Sequence, residues 1–194
     1  YDAIAITDHN TVAGSMAARD MLRDDISVIT GAEFSTEKGH ILALFIDDTI
    51  EKSCRMNDSR PGRTYDFNGL VSKVRDQGGL LFLAHPIQSL APQDHSFIKQ
   101  LDGYERINGR INSSHKDKKA DRLSRILEAA YPDKIRIGGS DAHAKPEIKS
   151  VYMTSDSADL KEAILNAESI CFRKSSMAKI RLSNMKNHKR RRRL

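Results

Sequence analysis

The sequence predicts an α/β fold built on a parallel sheet, and three observations carry that prediction. Short, near-continuous apolar runs alternate with stretches of helical periodicity, the runs are rich in β-branched and aromatic residues, and turn residues separate the two. Such a chain forms either an open doubly wound sheet or a closed barrel. At 194 residues it is one domain's worth, long enough to bury a proper core.

The elements follow in order. DAIAIT (2–7) predicts a strand, Asp8-His9-Asn10 a turn, and Thr11 to Arg23 a helix. ISVITGAEFS (26–35) and HILALFI (40–46) predict two strands parted by the turn residues Lys38 and Gly39. Residues 47–64, with Asp, Ser, Pro and Gly, predict an irregular segment. A helix over 66–77 places Phe67, Leu70, Val71 and Val74 on one face and ends at Gly78-Gly79. LLFLA (80–84) predicts a strand stopped by His85-Pro86, and GYERIN (103–108) another. A helix over 115–130, a strand at 134–139, a strand at 151–154, a helix at 158–167 and a strand at 169–172 complete the pattern.

Composition excludes several classes. The chain is 39% hydrophobic and 30% charged, and its longest apolar runs, ILALFI (41–46) and LLFLA (80–84), are too short to span a bilayer as helices. The net charge of +6 is local: Lys186, Lys189 and Arg190 to Arg193 supply six positive charges in the last ten residues, which leaves the rest neutral. Two isolated cysteines, Cys54 and Cys171, form neither a disulfide framework nor a thiolate metal site, and the expected compartment is a reducing cytoplasm. The chain opens on Tyr1 within a strand pattern, so its natural start is expected upstream.

A chemical pattern repeats at the strand ends. AIAIT ends in Asp8-His9, VITGA leads to Glu33, His40 opens the next strand, LLFLA ends in His85, and IRIGGS ends in Asp141 and His143. Each residue has an ordinary explanation as a turn former, a surface group or a helix cap. Jointly that explanation weakens, because four of the seven histidines fall at strand boundaries. In parallel α/β architectures the carboxyl ends of the strands share one face, where remote residues meet. Imidazoles and carboxylates without thiols are a donor set suited to Zn, Mn or Fe, with a Glu able to bridge two ions.

At these residues the chain resembles a known family. ITDHNT, GAEFSTEKGHILAL, GGLLFLAHP, DGYERINGR and GGSDAH stand in the order found in the PHP (polymerase and histidinol phosphatase) family of metal-dependent phosphoesterases. The resemblance runs from Tyr1 to about Phe172, toward the branch of small nucleotide phosphatases and 5′-to-3′ exonucleases. It implies a distorted (β/α)7 TIM-like barrel with two or three divalent ions. By that resemblance Glu33 bridges two ions, His40 and His85 complete one of them, Asp141 serves the other, and His9 and His143 serve a third. The family's first strand carries a His-x-His motif that this sequence lacks, which implies an incomplete, N-terminally truncated barrel over 1–175.

The chemistry so implied is hydrolysis of phosphate esters of a nucleotide or short oligonucleotide by metal-activated hydroxide. His9, His143 or a metal-bound water are the candidate proton donors to the leaving oxygen. Arg110 and, more weakly, Asn108 are the candidate phosphate-binding residues, while Glu105 either orients a metal ligand or, the favoured expectation, faces outward. The tail 176–194 is expected to be a disordered, solvated segment, with nucleic-acid contact through its basic residues as the sharper reading. Two other classes remain open: a catalytically inactive barrel serving as a metal- or nucleic-acid-binding module, and a metal-dependent hydrolase of a different bond.

Overall fold

The computed structural model describes residues 1–53, 65–89, 95–176, 178–180 and 182–183. The chain divides into two compact units, Tyr1–Tyr104 and Glu105–Leu194. Of the basic residues of the expected tail, Lys179 is helical and exposed, and the others lie outside the described residues. Of its beginning, residues 178–180 are helical, and Ile180 is buried.

The first unit is a sheet in the order β1-β2-β3-β4-β5, with strands β1 (Ala3–Ile6), β2 (Ser27–Thr36), β3 (Gly39–Leu44), β4 (Leu80–Leu83) and the start of β5 (Gly103–Asn108). β1 runs parallel to β2, and β4 parallel to β5. β3 departs from the expected parallel sheet, because it is antiparallel to both β2 and β4. The reason is local: only Glu37 and Lys38 separate the paired Thr36 and Gly39, and a connection that short makes a hairpin, whereas a parallel pair needs a crossover of a dozen residues.

Helix α1 (Ala13–Leu22) fills the β1-to-β2 crossover, and α2 (Thr49–Ser53) lies in the stretch expected to be irregular; the remainder of that stretch, 54–64, is outside the described residues. α3 (Phe67–Asp76) forms where the periodicity placed it. Asp66 caps its N-terminus by accepting the Gly69 N–H at 2.6 Å. Its C-terminus closes with Gly78 at φ 67°, Gly78 N–H to the Arg75 carbonyl and Gly79 N–H to the Val74 carbonyl, both at 2.8 Å. Phe67, Leu70 and Val74 are buried against a core that includes Phe34, Ile41, Tyr65, Leu81, Phe82 and Leu83. Full burial of each such side chain contributes roughly 1.5–3 kcal/mol. A short helix α4 (Pro86–Ser89) follows β4.

In the second unit, the remainder of β5 neighbours β6 (Ile135–Gly139), and β7 (Val151–Thr154) pairs antiparallel with β8 (Ser169–Phe172). Helices α5 (Gly109–Asn112), α6 (Asp117–Ala130) and α7 (Leu160–Leu165) connect them. The α/β class therefore stands, on a mixed sheet. No helix among the described residues is long and apolar enough to cross a membrane.

Candidate metal centre

The ladder of the first unit builds a cluster around Glu33. The β1–β2 register, with Ala3 opposite Ser27 and Ile6 opposite Thr30, carried three residues past the end of β1, sets His9 opposite Glu33. Two backbone bonds of 3.0 Å, Glu33 N–H to the Asp8 carbonyl and Asn10 N–H to the Glu33 carbonyl, fix that pairing. On β3, His40 pairs with Ser35, which shares a face of β2 with Glu33, so His40 is Glu33's diagonal neighbour across the hairpin. β4 continues the ladder: Ala84 N–H donates to the His40 carbonyl at 3.0 Å, and His85 follows.

The side chains converge on one oxygen. Glu33 Oε1 lies 2.5 Å from His40 Nδ1, 2.9 Å from His85 Nε2 and 3.8 Å from His9 Nδ1. The His40 ring meets those of His9 and His85 edge-on, at centroid distances of 5.5 and 5.1 Å. Glu33 and His85 are buried, His40 is half-buried, and the His9 side chain is 51% exposed. Burial pushes the Glu33 carboxyl up. Hydrogen bonds from His40 and His85 and the charges on His85 and His9 outweigh burial and hold it at about 2. The carboxylate therefore stays ionised, as a metal ligand must be.

His9, Glu33 and His40 each offer a donor atom, and these atoms lie within 4.8 Å of one another. Two imidazoles and an ionised carboxylate with no thiol suit a borderline divalent cation such as Zn, Mn or Fe, and buried His85 adds a further nitrogen beside the same oxygen. The donor set fits a divalent cation.

Backbone strain marks the same places. His85 has φ 27°, Asn10 next to His9 has φ 59°, and Asp141 has φ 49°. Left-handed backbone at a non-glycine residue costs of order 1–3 kcal/mol and persists where the surroundings over-determine it. At Asn10 the fixing bonds are visible. Its Oδ1 accepts the Ser35 N–H at 2.8 Å, and its carbonyl accepts the Tyr65 hydroxyl at 3.2 Å. At the start of α1, Glu51 from α2 accepts both the Val12 N–H at 2.7 Å and the Thr11 hydroxyl at 2.9 Å, so a remote carboxylate caps the helix that the His9 turn leads into.

The other expected residues belong to the second unit. Asp141 and His143 are close to each other: His143 Nδ1 is 3.0 Å from the Asp141 carbonyl oxygen and 3.3 Å from Oδ1. Asn108 is buried, and its Nδ2 lies 3.0 Å from Glu105 Oε2 and 3.3 Å from Asp141 Oδ2. Arg110 is exposed on α5. Glu105, expected to face outward, is instead 5% exposed: Gly139 on β6 leaves room for its carboxylate, since a Cβ there would stand 2.7 Å from Oε1. The sequence reading also missed Glu147, buried in a short turn, which accepts the His143 N–H at 3.0 Å. Nothing in AKPEIK distinguishes that Glu from a surface residue. The missed Asn10 and Glu51 act on backbone N–H groups, which no motif records.

No family model matches the chain. Two curated relatives are both uncharacterized proteins of Methanocaldococcus jannaschii. One is 30% identical over 110 residues, covering 55% of this chain and 58% of the relative. The other is 27% identical over 158 residues, covering 77% and 56%. The chain thus spans under two thirds of the length of either. Among solved structures, it is similar to a two-domain protein of Bacteroides vulgatus containing a predicted PHP-like metal-dependent phosphoesterase, with a TM-score of 0.61 and 18% identity over 88% of this chain and 56% of that one. It shares their fold also with PsfC from Pseudomonas syringae, at a TM-score of 0.60 and 15% identity over 100% of this chain and 84% of that one. A third is an amidohydrolase of Chromobacterium violaceum with bound sulfate and no metal, at 0.54 and 17% over 76% and 79%. The chain has the fold of these proteins. That likeness extends over both units, and it accords with the α/β architecture expected from the strand and helix pattern.

Proposed function

We propose that this chain acts as a PHP-type metal-dependent phosphoesterase, and that His9, Glu33, His40 and His85 hold divalent cations in its first unit. One observation carries the reading: a buried, ionised carboxylate has three imidazole nitrogens within 3.8 Å of a single oxygen. The strained backbone at His85 and the fold shared with a PHP-like phosphoesterase support it. Asp141 and His143 are proposed as cation ligands of the second unit on the motif resemblance, with two or three ions of Mn, Zn or Fe in all.

Bound cations would supply Lewis acidity toward a phosphoryl oxygen and toward water at neutral pH. The residues of the chain do the rest. Glu33 stays ionised and, by accepting from His40 and His85, sets the orientation of both rings. With Nδ1 donating to the Asp141 carbonyl, His143 has Nε2 alone left for one of two proposed roles, cation ligand or proton donor to the leaving oxygen, and the same two roles are proposed for His9. Arg110, exposed and always charged, is the proposed phosphate-binding side chain. The proposed substrate is a phosphate ester of a nucleotide or short oligonucleotide, resting on the branch that the motifs resemble.

The amidohydrolase neighbour favours a second reading, hydrolysis of an amide at the same centre. A substrate panel of phosphomonoesters, 3′,5′-bisphosphates, short RNA and amides, assayed with added Mn2+ and after chelation, decides between them. Release of phosphate or nucleotide that chelation stops supports the phosphoesterase. Turnover of amides alone replaces it with the second reading, and metal binding without turnover of any substrate points to an inactive metal-binding module.

A further inference from the structure

Asn108 stands at the end of β5 and serves two elements at once. Its Oδ1 accepts the Ile111 N–H at 3.0 Å and caps α5, which fixes the orientation of the amide. With the oxygen turned to the helix, Nδ2 is aimed at two carboxylates, Glu105 Oε2 at 3.0 Å and Asp141 Oδ2 at 3.3 Å. An amide nitrogen carries two hydrogens, so one group can donate to both. The backbone of Asn108 is tied as well: its N–H donates to Asn112 Oδ1 at 3.0 Å, and Asn112 Nδ2 donates to Asp117 Oδ1 at 2.9 Å. A relay of oriented amides therefore runs from the start of α6 to Asp141.

Electrostatics explains what the relay accomplishes. Two carboxylates sharing a largely buried site repel one another, and a shared donor between them offsets that repulsion. Asp141 itself adopts left-handed backbone, so its side chain is placed by its contacts rather than by a ladder.

We propose that Asn108 is a positioning residue for Asp141, aiming its carboxylate for cation binding and holding it beside Glu105, without itself touching cation or phosphate. The proposal rests on the reading of Asp141 as a ligand, and it gives Asn108 a different role from the phosphate contact expected from the sequence. Its nearest physical analogy is the outer partner of a metal ligand, whose loss typically weakens metal binding by about 10–100-fold.

The test uses the full chain, stripped of metal and titrated with Mn2+ alone, as wild type, Asn108→Ser, Asp141→Asn and the double variant. Serine keeps a cap for α5 and removes the bridging amide. N108S should weaken Mn2+ binding by about 10–100-fold while its metal-free near-UV circular dichroism matches wild type, and it should add no further loss to D141N. Wild-type Mn2+ affinity in N108S, or a loss that simply adds to that of D141N, overturns the proposal. If D141N itself binds Mn2+ as wild type does, Asp141 is no ligand, and that reading falls together with the proposal; weak D141N with normal N108S sinks the proposal alone. Unchanged Mn2+ affinity in N108S with weakened binding of inorganic phosphate to the loaded protein makes Asn108 a phosphate contact instead. Should N108S not fold, 15N-asparagine-labelled wild type titrated with Zn2+ carries the test: the Asn108 side-chain amide resonances should shift by one equivalent of metal, and resonances that stay in place contradict the role.

Discussion

Glu33 in the first unit and Asp141 in the second are both candidate carboxylate ligands, yet they are held in opposite ways. Glu33 sits inside β2, and the registers of β1, β3 and β4 bring it three imidazoles with no loop side chain as intermediary. Asp141 lies beyond β6 in left-handed backbone, and a side-chain amide bridges it to Glu105. The first arrangement is one acceptor among donors, and the second is two acceptors sharing a donor. A site built on a ladder is positioned by the sheet; one built on a loop needs additional side chains to position it.

The largest expected effect follows from the first arrangement. Glu33→Ala removes the oxygen that all three rings approach, and metal affinity should fall by more than about 100-fold, beyond the usual loss for an outer partner; calorimetric Mn2+ titration measures it. A variant that binds as wild type would mean the rings alone make the site.

Next comes a contrast within the cluster. His85 is buried against Glu33, so His85→Ala should cost roughly 1–3 kcal/mol of stability in the metal-free protein by leaving a buried acceptor short of a donor. His9 is half exposed, and His9→Ala should change stability by less than about 0.5 kcal/mol while still weakening metal binding. Urea unfolding of the two metal-free variants gives the comparison, and equal losses would contradict the ladder picture.

Glu51→Ala tests the support of the His9 turn. Loss of a helix cap costs about 0.5–2 kcal/mol, and the same denaturation measurement should report it; an unchanged midpoint would show that α1 does not depend on the carboxylate.

A further expectation concerns pH. A carboxyl held at about 2 when folded, against 4.5 ordinarily, binds fewer protons in the folded than in the unfolded chain between those values. Its stabilising contribution is complete above about pH 4.5 and is lost as pH falls toward about 2. A 13C titration of the Glu33 carboxyl in metal-free protein should have its midpoint near the lower value, and a midpoint at the ordinary one would show that the imidazoles do not stabilise the anion.

The same contrast explains what the sequence revealed. β5, β7 and β8 fall on GYERIN, VYMT and SICF, because continuous apolar runs bounded by turn residues leave little choice. The grouping of His9, Glu33 and His40 was suggested by polar residues interrupting those runs, since a ladder turns position in sequence into position in space. The antiparallel course of β3 was available in the two-residue Glu37-Lys38 connection, but periodicity alone does not carry strand direction. The burial of Glu105 has no local signal, because it depends on Gly139, 34 residues away and lacking the Cβ that would fill the space. Asn10, Glu51, Asn112 and Glu147 act through one or two hydrogen bonds each to backbone or side chains. Such bonds have no periodicity, so they become visible only in three dimensions.

The most direct test of Glu33 as the common ligand is anomalous diffraction from crystals of the chain grown with Mn2+ or Zn2+. The expected result is a peak at about 2.0–2.2 Å from a Glu33 carboxylate oxygen and from imidazole nitrogens of the His9, His40 and His85 group. Metal bound elsewhere, with Glu33 still hydrogen-bonded to His40 and His85 and no peak beside it, would contradict it.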